Sequence, residues 1–254
     1  MLNWYNLPTY YDVSFSHEMR EETTFLKAIF KKNLKAGSAR LLEPACGTGR
    51  LIMPLARAGY HCTGFDINTH ALAYFKQRLK RNRIQAVVFE ANMSDFSINK
   101  KKFDAAYCTV DTFRHLLKQD EARQHLIRVA KVLKKNGIYI LGLHLLPIRG
   151  ITNKVSRWTA KRGRLTVHTS MSLIAQNKRQ RTETLKVVLT SSNEDRYESI
   201  YRLRTYTLKQ FKQLIVNTDV FTIETVYDHY YDISKSVILD SKSDYGVFLL
   251  RKID

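Results

Sequence analysis

The sequence predicts an α/β fold: a mostly parallel sheet with helices wound on both faces, carrying one antiparallel β-rich insertion. Three observations predict it. Between residues 39 and 145, short apolar runs suited to buried parallel strands alternate with stretches of helical periodicity. The first run, Leu41-Leu42-Glu43-Pro44-Ala45-Cys46-Gly47-Thr48-Gly49-Arg50, breaks into a glycine turn that opens a helix. Past Pro147 the text becomes basic and alternates with period two, and the earlier pattern returns only near Thr207.

The elements follow in order. Trp4, Tyr5, Tyr10, Tyr11 and Phe15 are too aromatic for a disordered leader, and they precede an apolar helix at 24–34. The first strand spans 39–42 and the helix after the glycine turn 51–58. A second strand at 61–65 ends in Asp66-Ile67-Asn68, ahead of a helix at 71–79. Asp66 stands where an acidic side chain accepts both hydroxyls of a ribose; it equally suits a helix N-cap, as do Asn68 and Thr69. A third strand at 85–89 runs into Glu90-Ala91-Asn92-Met93, and a fourth at 103–110 into Asp111-Thr112-Phe113-Arg114-His115-Leu116-Leu117. A helix at 121–133 leads through Lys134-Lys135-Asn136-Gly137, read as C-cap and turn, into a fifth strand at 138–145. His144 lies near its end, either facing the site or satisfied within the strand. Runs at 164–173, 183–190 and 197–206 predict a three-stranded meander inserted into the parent sheet. A helix at 207–217 and strands at 221–227 and 245–251 close the fold. The division is 1–150 for the N-terminal segment and core, 151–206 for the insertion and 207–254 for the return to the core.

The dinucleotide pattern G-x-G-x-x-G needs a third glycine where Ile52 stands, which disfavours a pyrophosphate cofactor. The turn resembles instead the cofactor turn of class I S-adenosylmethionine-dependent methyltransferases: an acidic residue, a small residue, then Gly-x-Gly. Ala45 stands where many members have glycine. The resemblance covers nearly all the chain except roughly 151–206. It implies a Rossmann-like, doubly wound, mostly parallel seven-stranded sheet with an antiparallel last strand and an inserted antiparallel β-subdomain.

The same resemblance implies S-adenosylmethionine as cofactor. Glu43, Ala45, Cys46, Gly47 and Gly49 would form its turn, and Asp66 and Ile67 would meet its adenosine. Asn92 and Met93 would cap the adenine, although a loop methionine is also ordinary packing. Thr109 and Val110 would lie beside its methionine part. His115 would start a helix near the transferable methyl, as base or acceptor-orienting group, with His144 second. Tyr11, in a Tyr-Asp pair, would fold over the cofactor or else pack on the outer sheet face. Base N-methyltransferases carry Asn- or Asp-Pro-Pro-Tyr after the fourth strand, and none occurs here. The expected reaction is in-line methyl transfer to nitrogen or oxygen of a small molecule. The insertion lies at the ligand-binding edge of such a fold, as a lid or a dimer surface, and similar proteins acting on amino sugars or glycine-like amines carry a β-rich insertion in this place.

Composition bounds the rest. Forty-two basic against twenty-three acidic residues give a net charge of +19. Basic clusters at 76–83, 100–102, 157–164 and 178–181 would draw anionic substrates or RNA, so RNA methylation is the second reading. A non-catalytic binding protein is the third, disfavoured by the retained glycines, Asp66 and the 111–116 run. With no charged leader and no apolar stretch near ~18 residues, a cytoplasmic protein without a membrane span is expected. Cys46, Cys62 and Cys108 lack zinc spacing and read as reduced buried thiols, and no metal is expected.

Overall fold

The computed structural model describes residues 3–16, 19–34, 39–99, 102–146, 155–193 and 195–253. Strand β1 (Arg40–Pro44) lies inside a seven-stranded sheet, parallel to β2 (His61–Asp66) on one side and β4 (Phe103–Cys108) on the other. Beyond β2 lies β3 (Val87–Glu90), and beyond β4 lies β5 (Leu133–His144), both parallel to their neighbours. The last strand, β11 (Tyr245–Lys252), enters antiparallel between β5 and β10 (Phe221–Tyr227). The order β10-β11-β5-β4-β1-β2-β3 reverses direction between β1 and β4, the place where open sheets of this kind hold ligands.

Period-two burial explains why both faces are covered. Leu41, Tyr107 and Ile140 point to one side, beneath α2 (Met19–Asn33), α3 (Ile52–Arg57) and α4 (Thr69–Asn82). Leu42, Ala106 and Leu141 point to the other, beneath α5 (Gln119–Val132) and α6 (Leu208–Thr218). The three cysteines are free thiols buried in these layers. No helix among the described residues is long and apolar enough to cross a membrane.

The insertion is the expected antiparallel β-subdomain, with four strands where three were expected. It holds β6 (Val155–Arg162), β7 (Leu165–Asn177), β8 (Thr182–Ser191) and β9 (Arg196–Arg204), which form a sheet of their own. Residues 157–164, read as a basic cluster, are mostly strand β6 and its turn. The change at Pro147, the 150/151 boundary and Lys100 and Lys101 of one basic run fall outside the described residues.

The N-terminal aromatics pack on this second sheet, not on the parent sheet's outer face. A 3₁₀ turn (Trp4–Asn6) and α1 (Pro8–Ser14) contribute Trp4 and Val13 to a small core with Ala160, Val167, Val187 and Leu189. Tyr11 joins it from the edge. At 134–137 the expected helix C-cap and turn is absent. Helix α5 ends at Val132, strand geometry begins at Leu133, and left-handed Asn136 (φ 58°) lies in an irregularity of the β4–β5 pairing.

Candidate active site

A cavity of about 830 Å³ opens at the C-terminal ends of β1, β2 and β4, roofed by the N-terminal segment and the inserted sheet. All the expected site residues line it except Gly49. A Cβ at Gly49 would lie 2.1 Å from the Phe75 ring, so this glycine permits close packing of the turn against α4 instead of ligand approach. Gly47 does face the cavity. It is left-handed (φ 51°), and the nearest atom to an added Cβ is Asp66 Oδ2 at 3.9 Å.

The turn and the second strand end are tied together. The Gly47 amide donates to Asp66 Oδ2 (2.7 Å) and the Asn68 amide to Oδ1 (2.8 Å). Asn68, not Asp66, caps α4, its side chain accepting from the Ala71 amide at 2.9 Å. Burial raises the Asp66 carboxyl above its ordinary range, against the pull of these amides. Glu43 is 8 % exposed and accepts from the Tyr107 hydroxyl at 3.1 Å. Burial pushes its carboxyl well upward, opposed by Arg50 and by Tyr107. Met93 is buried beside exposed Asn92, whose Oδ1 accepts from the amide and hydroxyl of Ser94. Ile67 stands 65 % exposed at the rim.

The end of β4 is bent sharply. Val110 (φ 52°) and Asp111 (φ 62°) are consecutive left-handed residues without being glycine, a strain typical of functional turns. The Asp111 amide donates to the Gly142 carbonyl at 3.2 Å. Beneath lies a pair the sequence reading missed. Glu22, with no exposed surface, accepts from Arg50 and from the Thr109 hydroxyl. A basic residue directly after the glycine turn was the available signal. Its carboxylate partner, from a helix 28 residues earlier, left none.

The other half of the cavity is aromatic. His115 ends a 3₁₀ turn (Thr112–His115), where a helix start was expected. Its ring stacks on Tyr201 (5.8 Å, 25°) and meets Tyr5 edge-on (5.4 Å, 78°). The Tyr5 hydroxyl lies 3.0 Å from His115 Nε2. Burial pushes the imidazole down to about 4, and burial raises the Tyr5 phenol far above its ordinary value. At neutral pH both are uncharged, and the tautomer of the His115 ring sets which of the two donates. Tyr201 was absent from the expected site because it lies in the insertion away from any motif, and Tyr5 because in its segment only the Tyr11-Asp12 pair carried one.

His144 faces the cavity from β5, its amide donating to Asp111 Oδ1 (2.8 Å) and its Nδ1 lying 2.7 Å from Oδ2. Burial opposes its charge, but Asp111 outweighs burial and raises its pKa. For Asp111 burial acts upward, and Arg114 with His144 overcomes it, holding the carboxyl well below the ordinary range. Arg114 is 3 % exposed and also pairs with Glu183 of β8. Trp158, Met171, Ile200 and Phe15 complete this wall, with Tyr11 between Trp4 and Phe15. Among the described residues, no group of three or more His, Cys, Asp or Glu is arranged to hold a metal ion.

Comparison with known proteins converges on one chemistry. Residues 41–137, from β1 into β5, match the family described as "Methyltransferase domain". A protein of Geobacillus sp. (strain WCH70), provisionally named a methyltransferase, is 23 % identical over 81 % of this chain and 83 % of its own. A dTDP-3-amino-3,6-dideoxy-α-D-glucopyranose N,N-dimethyltransferase of Streptomyces fradiae is 24 % identical over 77 % of this chain and 75 % of its own. In fold, an amino pentose methyltransferase from Micromonospora echinaspora, solved with S-adenosylmethionine bound, superposes with a TM-score of 0.72 at 18 % identity, covering 92 % of each chain. A glycine turn without a pyrophosphate pattern, a buried carboxylate at each of two adjacent strand ends, the domain match and the fold point the same way: residues 41–137 carry a methyltransferase domain, built on the fold of the class I S-adenosylmethionine-dependent methyltransferases.

Proposed function

We propose that the chain transfers a methyl group to the nitrogen of a small-molecule amine whose remaining body is uncharged. One observation carries the reading. The acceptor half of the cavity is walled by Tyr5, Phe15, Trp158, Met171 and Tyr201, and its charged groups already serve one another, Arg114 and His144 on Asp111. A carboxylate or phosphate on the acceptor would meet no spare cation there, whereas apolar ring faces would find packing partners. The amino-dideoxy sugar ring in the S. fradiae relative's name has the chemistry this wall would suit, whereas the dTDP diphosphate attached to it does not, so the likeness supports the reading for the sugar alone. RNA methylation and a dimer through the inserted sheet gain no support from the proteins named above.

The residues present fit the cofactor. Gly47 leaves an open cradle, buried Asp66 offers two carboxylate oxygens to the ribose diol, and Glu43 offers a carboxylate to the amino group of the methionine part. In this reading Ile67, Asn92 and Met93 contact the adenine. The backbone of Ala45 and Cys46, with Thr109 and Val110, flanks the methionine part, and Tyr11 closes from above. The bound cofactor supplies an electrophilic methyl group on a sulfonium centre. The protein's part is to align the acceptor and exclude water.

His115 supports nitrogen over oxygen. An imidazole pushed down to about 4 is too weak a base to deprotonate a hydroxyl. It serves instead by fixing the Tyr5 hydroxyl at the cavity wall beside the acceptor. The amine then enters in its neutral form and leaves carrying its proton. Calorimetric titration with S-adenosylmethionine and S-adenosylhomocysteine tests the cofactor half, with saturable binding expected. An acceptor screen then compares amino sugars and aryl amines with amino acids and phosphorylated amines. Turnover confined to the charged acceptors would overturn the proposal.

A further inference from the structure

The N-terminal segment belongs by packing to the inserted sheet. Besides the core around Trp4, the Ser14 hydroxyl meets Thr169 Oγ1 at 3.0 Å, Trp158 Nε1 donates to the Ser14 carbonyl at 2.8 Å, and the Tyr10 hydroxyl donates to Asp195 at 2.7 Å. Together these pieces roof the acceptor half. Three side chains of the segment reach the opposite way, Asn6 to Asn68, Tyr5 to His115 and Asp12, and of these only Asp12 also meets the inserted sheet by hydrogen bonds to its side chain. Asp12, 1 % exposed, accepts at Oδ1 from the hydroxyl of Thr48 (2.9 Å), which sits between Gly47 and Gly49 in the cofactor turn, and from Arg78 Nη1 of α4 (2.6 Å). The same Arg78 nitrogen donates to the Thr48 carbonyl at 3.0 Å. From the roof side, Arg162 at the end of β6 donates to Asp12 Oδ2 (2.6 Å) and to the Asp12 carbonyl (2.9 Å).

We infer that Asp12 is a positioning residue that couples the cofactor turn to the roof over the acceptor, so that filling the cofactor half steadies the wall against which the acceptor binds. The arrangement has one cation on each side of a seam, Arg78 on the core and Arg162 on the roof, with one carboxylate between them. Thr48 makes the node sensitive to the turn itself, since its hydroxyl and carbonyl are both engaged. Coupling of this kind is reciprocal: a bound acceptor tightens the cofactor by the factor with which the cofactor tightens the acceptor. The inference rests on the cofactor half of the reading above.

Hydrogen exchange on the full chain tests it, with S-adenosylhomocysteine as probe. Residues 159–167, the end of β6 with its turn into β7, do not line the cavity, so direct contact does not protect them. In the parent protein the probe is expected to slow their amide exchange several-fold, alongside that of residues 66–71. In Asp12→Asn the slowing at 159–167 disappears while that at 66–71 stays. Arg162→Gln keeps the Thr48 and Arg78 contacts of Asp12, so it guards against a variant that fails to fold, and it too is expected to lose the remote slowing alone. A merely structural ion pair would speed exchange with and without the probe and leave the probe's effect intact, which overturns the inference. So does a parent protein that binds saturably without responding at 159–167. Absence of binding overturns the cofactor reading and this inference with it.

Discussion

At the scale of single residues, two buried groups give opposite lessons about legibility. Asp66 was readable as a cavity residue because it ends the second strand beside the glycine turn, although its type alone left the helix N-cap open until Asn68 took that place. Asp66→Ala should weaken S-adenosylmethionine binding by about 1.5–3 kcal/mol, the worth of a hydrogen bond to a charged group. Calorimetry checks this, and parent-like affinity would refute the ribose assignment. His125 was not readable. It lies mid-helix with no exposed surface, its Nδ1–H donating to the Met93 carbonyl (2.9 Å) and its Nε2 accepting from the Tyr139 hydroxyl (2.7 Å). Both nitrogens are satisfied in the neutral ring, and burial pushes its pKa down to about 4. The unfolded chain therefore binds a proton that the folded chain refuses between about pH 6.5 and pH 4. Stability should fall on acidification through this window, by roughly 2 kcal/mol between pH 7 and pH 5 from this residue. Urea unfolding at the two pH values, repeated on His125→Gln, should show the variant with the flatter pH dependence.

The same contrast holds for whole elements. The parent sheet was legible because its inner strands, such as β1, β2 and β4, are near-continuous apolar runs buried on both faces. Strand β6 was not, because its sequence, Val155-Ser156-Arg157-Trp158-Thr159-Ala160-Lys161-Arg162, buries only Ala160 fully and reads as surface charge. A small two-sided sheet over a short N-terminal segment leaves too little apolar signal per strand. Within the glycine turn, residue type was legible but not role. Gly49→Ala drives a methyl into the Phe75 ring and strains a left-handed residue, which together should cost about 2–4 kcal/mol of stability. Gly47→Ala meets no atom closer than 3.9 Å, so it should cost only about 1 kcal/mol of backbone strain while obstructing the cofactor cradle. Denaturation midpoints should separate the two variants, and cofactor titration should show that Gly47→Ala loses binding while remaining folded.

On the scale of the whole molecule, the charge of +19 read from the sequence turns out to be a poor guide to where charge matters. Many of the basic residues lie on exposed faces, while the consequential cations, Arg50, Arg78 and Arg114, are sunk between elements and matched to carboxylates distant in sequence. Arg114 is the joint between core and insertion. It donates to the Arg204 carbonyl at the end of β9, to Glu183 at the start of β8 and to Asp111 at the bend after β4. Arg114→Met keeps most of the side chain's bulk but leaves two carboxylates short of their cation, and removing one partner of a buried pair costs about 3–5 kcal/mol. Denaturant unfolding should register that loss. The variant should also act at a distance through charge: Arg114 presses the His144 pKa down, so its removal should raise it further. The sign matters for pH dependence. A histidine with a raised pKa stabilises the fold at low pH and loses that contribution as pH climbs through the folded value, so in Arg114→Met this loss should move to higher pH. Proton NMR titration of the His144 ring in both proteins measures the shift directly. A His144 pKa that stays put or falls would show that Arg114 serves only to hold the insertion in place, with no electrical hold on the acceptor side of the cavity.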